Sequence, residues 1–137
     1  MSKRFKEVFI VDDDAIYRMA MKRLFNQTDF CEQIQVFENG QDARIEIEQR
    51  KKAGAKVPDL ILVDLNMPIE DGWQFVESCC QLKVCEETGI YLCSSTIDPE
   101  ELQKANDTPG LKRMLIKPIQ KHDLYSIKMD NIQKLIS

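Results

Sequence analysis

The sequence has no excess of basic residues, almost no histidine and no long apolar run, and each lack removes a class of function. Nineteen Lys and Arg stand against 23 Asp and Glu, for a net charge of −4. That is the wrong sign for a domain that lives on a phosphate backbone, so direct nucleic-acid binding is not expected. No stretch reaches the roughly 18 consecutive apolar residues of a membrane-spanning helix. Only the four apolar residues Val8 to Val11 separate Glu7 from Asp12, too few for the apolar region of a signal peptide. Glycine and proline number five each in a chain that is 43% hydrophobic and 31% charged, which excludes collagen-like, low-complexity and disordered classes. The five cysteines (Cys31, Cys79, Cys80, Cys85, Cys93) are odd in number, contain no C-x-x-C pair and share the chain with one histidine, His122. A zinc site is therefore not expected, and the thiols read as reduced and partly buried in a cytoplasmic protein.

What is present has a regular plan. At 137 residues the chain fits one domain on a prior of about 150 residues each, read here as a single domain over 1–137 with its core at about 7–136. Val8-Phe9-Ile10-Val11 is apolar and β-branched without alternation, as a strand buried on both faces must be. It stops at Asp12-Asp13-Asp14. The segment Ala15 to Phe25 carries Ile16, Met19, Ala20 and Leu24 at helical spacing, with Asp14 placed to cap it. A second strand, Ile34 to Phe37, leads through the Asn39-Gly40 turn to a helix over Asp42 to Lys52 that Gly54 and Pro58 close. Leu60 to Val63 repeats the first strand and also runs into an aspartate, Asp64. After Asp71-Gly72 a helix carries Trp73, Val76, Cys80 and Leu82. Then come strand Ile90 to Cys93, helix Pro99 to Asn106, strand Met114 to Ile116 and a final helix from about Gln120 to Ile136. In that helix Leu124, Ile127, Ile132 and Leu135 are expected to face the sheet, while Tyr125 and Met129 point outward and suit a partner surface. Alternating strands and helices require right-handed crossovers and a sheet covered on both faces, which predicts a five-stranded, doubly wound α/β fold.

In such a sheet every strand's C-terminal end points to one edge, where ligands bind near the switch in strand order. Asp12, Asp13, Asp64, Ser94 and Lys117 each lie just past a strand and are expected to meet there. Two carboxylates ~4 Å apart repel by about 4 kcal/mol at an effective dielectric of 20. The one ammonium of Lys117 does not neutralise three of them. With no His or Cys expected nearby, the missing partner is a hard, oxygen-seeking cation, Mg²⁺ best and Mn²⁺ next. Phosphate oxygens readily fill the positions such an ion leaves open, so the site is prepared for phosphoryl chemistry.

These residues resemble the response regulator receiver domain. Its pattern is an acidic pair after strand one (Asp12-Asp13), Asp-x-x-x-Pro after strand three (Asp64 to Pro68, then Asp71-Gly72), Ser or Thr after strand four (Ser94-Ser95) and Lys-Pro after strand five (Lys117-Pro118). The four elements occur in order over essentially the whole chain. The resemblance, nearest to the stand-alone chemotaxis-type receivers, implies a flavodoxin-like sheet in the order 2-1-3-4-5 and a phosphoacceptor at Asp64. It implies Mg²⁺ held, directly or through water, by Asp12, Asp13, the Asp64 side chain and the main-chain carbonyl of Asn66, with Lys117 and Ser94 beside the transferring group. The implied donor is the phosphohistidine of a histidine kinase or histidine phosphotransfer protein. The implied output is a downstream protein bound on the face of helix four, strand five and helix five. A cis Lys117-Pro118 bond is implied as well. A carboxylate attacking phosphorus makes an aspartyl phosphate, and because the transition state is loose, positioning and charge neutralisation carry the catalysis. On this reading the chain catalyses only its own phosphorylation and dephosphorylation, turns nothing over, and has no fused DNA-binding output.

Met114 departs from the pattern, because the family carries Tyr or Phe three residues before the lysine; a flexible methionine is expected to fill that space. Asp14 reads as a helix cap outside the site. Ser95 and Thr96 leave the switch position open by one residue, and setting Ile97-Asp98-Pro99 against the loop before helix four favours Ser94. Asn66 and Thr96, two residues past the acceptor and switch positions, read as tuning dephosphorylation. His122 reads as exposed and Trp73 as packing. Two rivals remain. Asp12-x-Asp14 mimics the opening pair of haloacid-dehalogenase-like phosphatases, for which the chain has no room for a cap. A receiver fold that signals by binding alone would not need the full set of acids and lysine.

Overall fold

A computed structural model describes residues 3–96 and 98–136; Ile97, with Met1, Ser2 and Ser137 at the ends of the expected domain, lies outside them. Strands β1 (Phe5–Val11), β2 (Cys31–Phe37), β3 (Leu60–Asp64), β4 (Gly89–Ser94) and β5 (Arg113–Ile116) pair in parallel in the order β2-β1-β3-β4-β5. The doubly wound sheet is the one anticipated from the alternation of elements, and its flavodoxin-like strand order is the one the receiver resemblance implied. Every residue of β3 and β4 is buried, the physical reason for their unbroken apolar character.

Alternate strand residues feed two separate cores. Val8, Ile10, Leu60, Leu62, Tyr91 and Cys93 meet Met21 and Phe25 of α1 (Ala15–Thr28) and Leu124 and Ile127 of α5 (Lys121–Asp130). On the other face Phe9, Val11, Ile61, Val63, Ile90 and Leu92 meet α2 (Gly40–Ala53), α3 (Gly72–Gln81) and α4 (Pro99–Asn106). Asp14 caps α1 as expected, and Asn39 and Asp71, read from the sequence as turn residues, prove to be caps as well. Asp14 accepts the Ile16 and Tyr17 N–H groups at 2.9 and 3.3 Å, Asn39 caps α2 through the Asp42 N–H, and Asp71 with Gln74 forms a capping box on α3. Gly54 ends α2 in the left-handed region, at φ 68°.

The helix faces differ from the sequence reading in three places. In α1 the buried stripe is Tyr17, Met21, Leu24 and Phe25, while Ile16 and Met19 are 80% and 64% exposed. Two helical stripes competed, and the one carrying two rings buries more apolar area. In α3 it is Phe75, Val76 and Cys79 that are buried, with Trp73, Cys80 and Leu82 only packed against the core edge. The last helix is not continuous. Asn131 breaks it between α5 and α6 (Ile132–Ile136), because its buried side chain donates to the Ile127 carbonyl at 2.8 Å and to the Tyr91 hydroxyl at 3.0 Å. A side-chain amide that bonds main chain competes with helix continuation. The break turns Ile132 outward, to 38% exposure, while Leu135 stays buried.

Candidate functional site

β1 and β3 lie side by side at the centre of the sheet, yet the chain leaves β1 toward one face and β3 toward the other. This divergence opens a crevice at their C-terminal ends, and the acidic residues stand there. Asp12 follows the last residue of β1 and is 1% exposed. Its main-chain N–H donates to the Phe37 carbonyl at 3.0 Å, and its carbonyl accepts from the Arg18 guanidinium at 2.6 Å. Its Oδ1 accepts the Asp14 N–H at 2.9 Å. Asp64 ends β3, 8% exposed, and its Oδ1 accepts the Asn66 N–H at 3.4 Å. Asp13 is exposed. One carboxylate oxygen from each of Asp12, Asp13 and Asp64 lies within 4.8 Å of the others.

Lys117 enters from the end of β5 and bridges two of these acids, its Nζ 2.6 Å from Asp12 Oδ2 and 3.2 Å from Asp64 Oδ1. Its main-chain N–H donates to the Ser94 carbonyl at 2.7 Å, and the Lys117-Pro118 bond is cis. Burial raises the Asp64 pKa, the Asp12 charge raises it further, and Lys117 only partly opposes both. Burial pulls the other way on Lys117, but its hydrogen bond to Asp12 and the two carboxylate charges prevail and hold its pKa above the ordinary lysine value. The site is thus an anionic cup in which one ammonium faces three acids. Its donors are all hard oxygens, clustered as Mg²⁺ or Mn²⁺ requires, so Asp12, Asp13 and Asp64 fit such an ion.

Ser94 ends β4 and is 1% exposed, whereas Ser95 and Thr96 are exposed. Its Oγ donates to the Thr96 carbonyl at 3.1 Å and accepts the Thr96 N–H at 3.2 Å. Met114 is buried with Leu92 and Ala105 in the core beneath α4. His122 is exposed, 3.6 Å from Asp123.

One expectation about the site fails: a thiol does lie nearby. Cys93 is the register partner of Asp64 on the neighbouring strand. Burial pushes its pKa up to about 12, so it remains a protonated core residue and leaves the preference for a hard cation intact. Two contacts at the site were not read from the sequence. Tyr17 of α1 places its ring 4.3 Å from Lys117 Nζ, in cation–π range. Gly72 lies so close to the acceptor strand that a Cβ there would stand 2.8 Å from the Asp64 carbonyl oxygen and 2.9 Å from Leu65 Cα. Asp71-Gly72 was legible as a turn, but not this close approach.

A match to the response regulator receiver domain covers residues 8–128. The chemotaxis protein CheY of Halobacterium salinarum is 26% identical over 85% of this chain and 88% of its own length. The two-component response regulator ARR22 of Arabidopsis thaliana is 30% identical over 93% of this chain and 84% of its own length. A protein-glutamate methylesterase/protein-glutamine glutaminase of Chromobacterium violaceum is 28% identical over 82% of this chain, which spans only 30% of that protein. Among solved structures, a two-component response regulator from Cytophaga hutchinsonii superposes with a TM-score of 0.83 at 25% identity, over 93% of this chain and 99% of that one. Similarity along nearly the whole chain, in sequence and in fold, gives one conclusion: this chain belongs to the response regulator receiver domain family and is a CheY-like receiver of two-component signalling.

Proposed function

We propose that residues 1–137 act as one receiver module in which Asp64 accepts a phosphoryl group from a phosphohistidine, on a histidine kinase or a histidine phosphotransfer protein, and that the modified domain then engages a downstream protein. The observation that carries this reading is the triple carboxylate cluster with Lys117 on two of its members. An Asp64 carboxylate oxygen attacks phosphorus, the P–N bond to the donor imidazole breaks, and the imidazole leaves with the bonding pair. Asp12, Asp13, Asp64 and the Asn66 carbonyl would hold Mg²⁺, which supplies charge neutralisation for the phosphoryl oxygens. Lys117 supplies a second positive charge between Asp12 and Asp64, and its short bond to the Asp12 carboxylate keeps the ammonium from swinging into solvent. The Ser94 hydroxyl, now on Thr96, donates to a phosphoryl oxygen once Asp64 is modified, which draws the β4–α4 loop inward. Met114, already buried beneath α4, is the element free to repack with it.

The output surface is the α4, β5 and α5 face, where Tyr125 and Met129 are 68% and 51% exposed. The chain acts through protein contacts rather than nucleic acid, in keeping with its net charge of −4. Five free thiols support a cytoplasmic location, and among the described residues no helix is long and apolar enough to cross a membrane.

The test is incubation of the native chain and of Asp64→Ala with Mg²⁺ and acetyl phosphate. The expected result is one phosphate per native chain that alkali and hydroxylamine both release, as from an acyl phosphate, and none on the variant. Continuous release of phosphate from a phosphomonoester would instead indicate a hydrolase. Absence of Mg²⁺ binding would indicate a receiver fold that signals by binding alone.

A further inference from the structure

α3 ends in a reversal of the chain that brings two thiols together. Lys83 adopts the left-handed conformation at φ 62°. The Val84 N–H donates to the Cys79 carbonyl and the Lys83 N–H to the Cys80 carbonyl, each at 3.1 Å; these are the paired bonds of a Schellman turn. The turn folds Cys85 back onto the last turn of α3, with its Sγ 3.0 Å from Cys80 Sγ. Cys80 donates its S–H to the Pro109 carbonyl at 3.3 Å, so the proton between the two sulfurs comes from Cys85. Cys80 also lines an open groove of about 330 Å³ between α3 and α4, with Trp73, Lys104 and Pro109. Cys31, Cys79 and Cys93, by contrast, are buried. Gly110, at φ 84°, packs directly on the pair; a Cβ there would stand 2.5 Å from Cys80 Sγ and 2.7 Å from Cys85 Sγ.

We propose that Cys80 and Cys85, at the end of α3, form a reversible redox site that a hydroperoxide oxidises to a disulfide, packed against the loop that joins α4 to β5. The Cys80 sulfur attacks the peroxide: an S–O bond forms, the O–O bond breaks, and the leaving alkoxide or hydroxide takes up the Cys80 proton. The Cys85 sulfur then attacks the resulting sulfenic acid, the S–S bond forms, the S–O bond breaks, and hydroxide departs as water with the Cys85 proton. Two thiols lose two electrons in all, and one hydroperoxide is reduced to an alcohol, or to water, plus a water. The roles follow from the surroundings. Burial and its hydrogen bond to Cys80 push the Cys85 thiol up to about 12, so Cys85 stays protonated until it resolves the sulfenic acid. Cys80 faces the groove, where a hydroperoxide reaches its sulfur, and Cys85 Sγ stands 3.0 Å away, in place to resolve it. Closure draws the sulfurs from 3.0 Å to a bond of about 2.05 Å and removes the S–H that Cys80 donates to Pro109. Oxidation is thereby felt at Pro109-Gly110, between the end of α4 and the start of β5.

This proposal goes beyond phosphoryl chemistry, and its test uses neither Mg²⁺ nor a phosphodonor. The full chain is treated with hydrogen peroxide, remaining thiols are alkylated, and the digest is mapped by mass. Cys80 and Cys85 are expected to lose alkylation together, as linked peptides lighter by two hydrogen atoms, and dithiothreitol is expected to restore both. In Cys85→Ser, dimedone is expected to label Cys80. Amide NMR signals of Gly110 and Leu111 are expected to shift on oxidation of the native chain and to stay in place in Cys80→Ser. Retention of all thiols at peroxide doses that already oxidise the exposed Met19 and Met129 would overturn the proposal, as would a link between any other pair of cysteines.

Discussion

Lys117 Nζ sits 2.6 Å from Asp12 Oδ2 although the two residues are 105 positions apart, and the same ammonium is 3.2 Å from Asp64. One cation therefore occupies a carboxylate oxygen that a metal ion would also use, and its removal is expected to act oppositely on two measurements. In Lys117→Ala the freed Asp12 oxygen tightens Mg²⁺ binding roughly tenfold, ~1.4 kcal/mol for loss of a competing charge in a partly solvated site. Phosphorylation by acetyl phosphate falls by roughly 10² or more, because a preorganised positive charge at the transferring group is lost. Calorimetric Mg²⁺ titration beside a phosphorylation time course checks both, and weaker Mg²⁺ binding in the variant would sink the shared-charge account.

Tyr17 underlies this lysine through the face of its ring, and its hydroxyl finds no hydrogen-bond partner among the described residues. Tyr17→Phe keeps the ring and relieves a buried, unpaired hydroxyl, so stability is expected to rise by about 1 kcal/mol with phosphorylation unchanged. Tyr17→Leu removes a cation–π contact of roughly 0.5–2 kcal/mol and is expected to slow phosphorylation several-fold. Equal rates in the two variants would show that the ring does not position Lys117.

Gly72→Ala pushes a methyl group into Leu92 and into the main chain of Asp64 and Leu65. Overpacking of this kind costs about 1–3 kcal/mol. Urea denaturation is expected to show that loss, and phosphorylation of the folded variant is expected to drop because the acceptor strand end is displaced. An unchanged urea midpoint would mean that the strand end yields without penalty.

Ile69 lies in the loop between Asp64 and α3 at φ 73° and is 81% exposed. A β-branched residue in that region is strained, and nothing is gained there from burial. Ile69→Gly is expected to stabilise the fold by roughly 1 kcal/mol, read as a higher urea midpoint; a lower midpoint would contradict it.

Cys31 sets part of the alkaline limit of stability. Burial is the main cause that pushes its thiol from 9.0 up to about 12. The folded pKa is thus above the unfolded one, so the contribution is complete below about pH 9 and is lost as pH climbs toward about 12, where the unfolded chain has already released its proton. The urea midpoint of the native protein is expected to fall with pH above about 9, and Cys31→Ala to show a shallower fall. Identical slopes would assign the limb to other groups.

The element order was legible in the sequence because strands buried on both faces must be apolar throughout, as Val8 to Val11 and Leu60 to Val63 are, and charge begins only where a strand leaves the core, at Asp12 and Asp64. The cap at Asp14 was legible because it uses main-chain groups only two or three residues away, and Asn39 and Asp71, read as turn residues, cap their helices in the same way. The buried face of α1 was not, since the choice between Ile16 with Met19 and Tyr17 with Phe25 depends on what the sheet presents to the helix. Nor was the break at Asn131, which follows from a bond to Tyr91 on β4. The meeting of Lys117 with the acids was expected at the sheet edge, but the ring of Tyr17 beneath it joins segments far apart along the chain, and the pressing of Gly72 on Asp64 depends on how the loop after β3 folds back. Composition and spacing alone specified a doubly wound sheet with acids at its edge. Strand order and register decided which side chains meet there, because only the packed sheet brings those distant positions within a few ångströms.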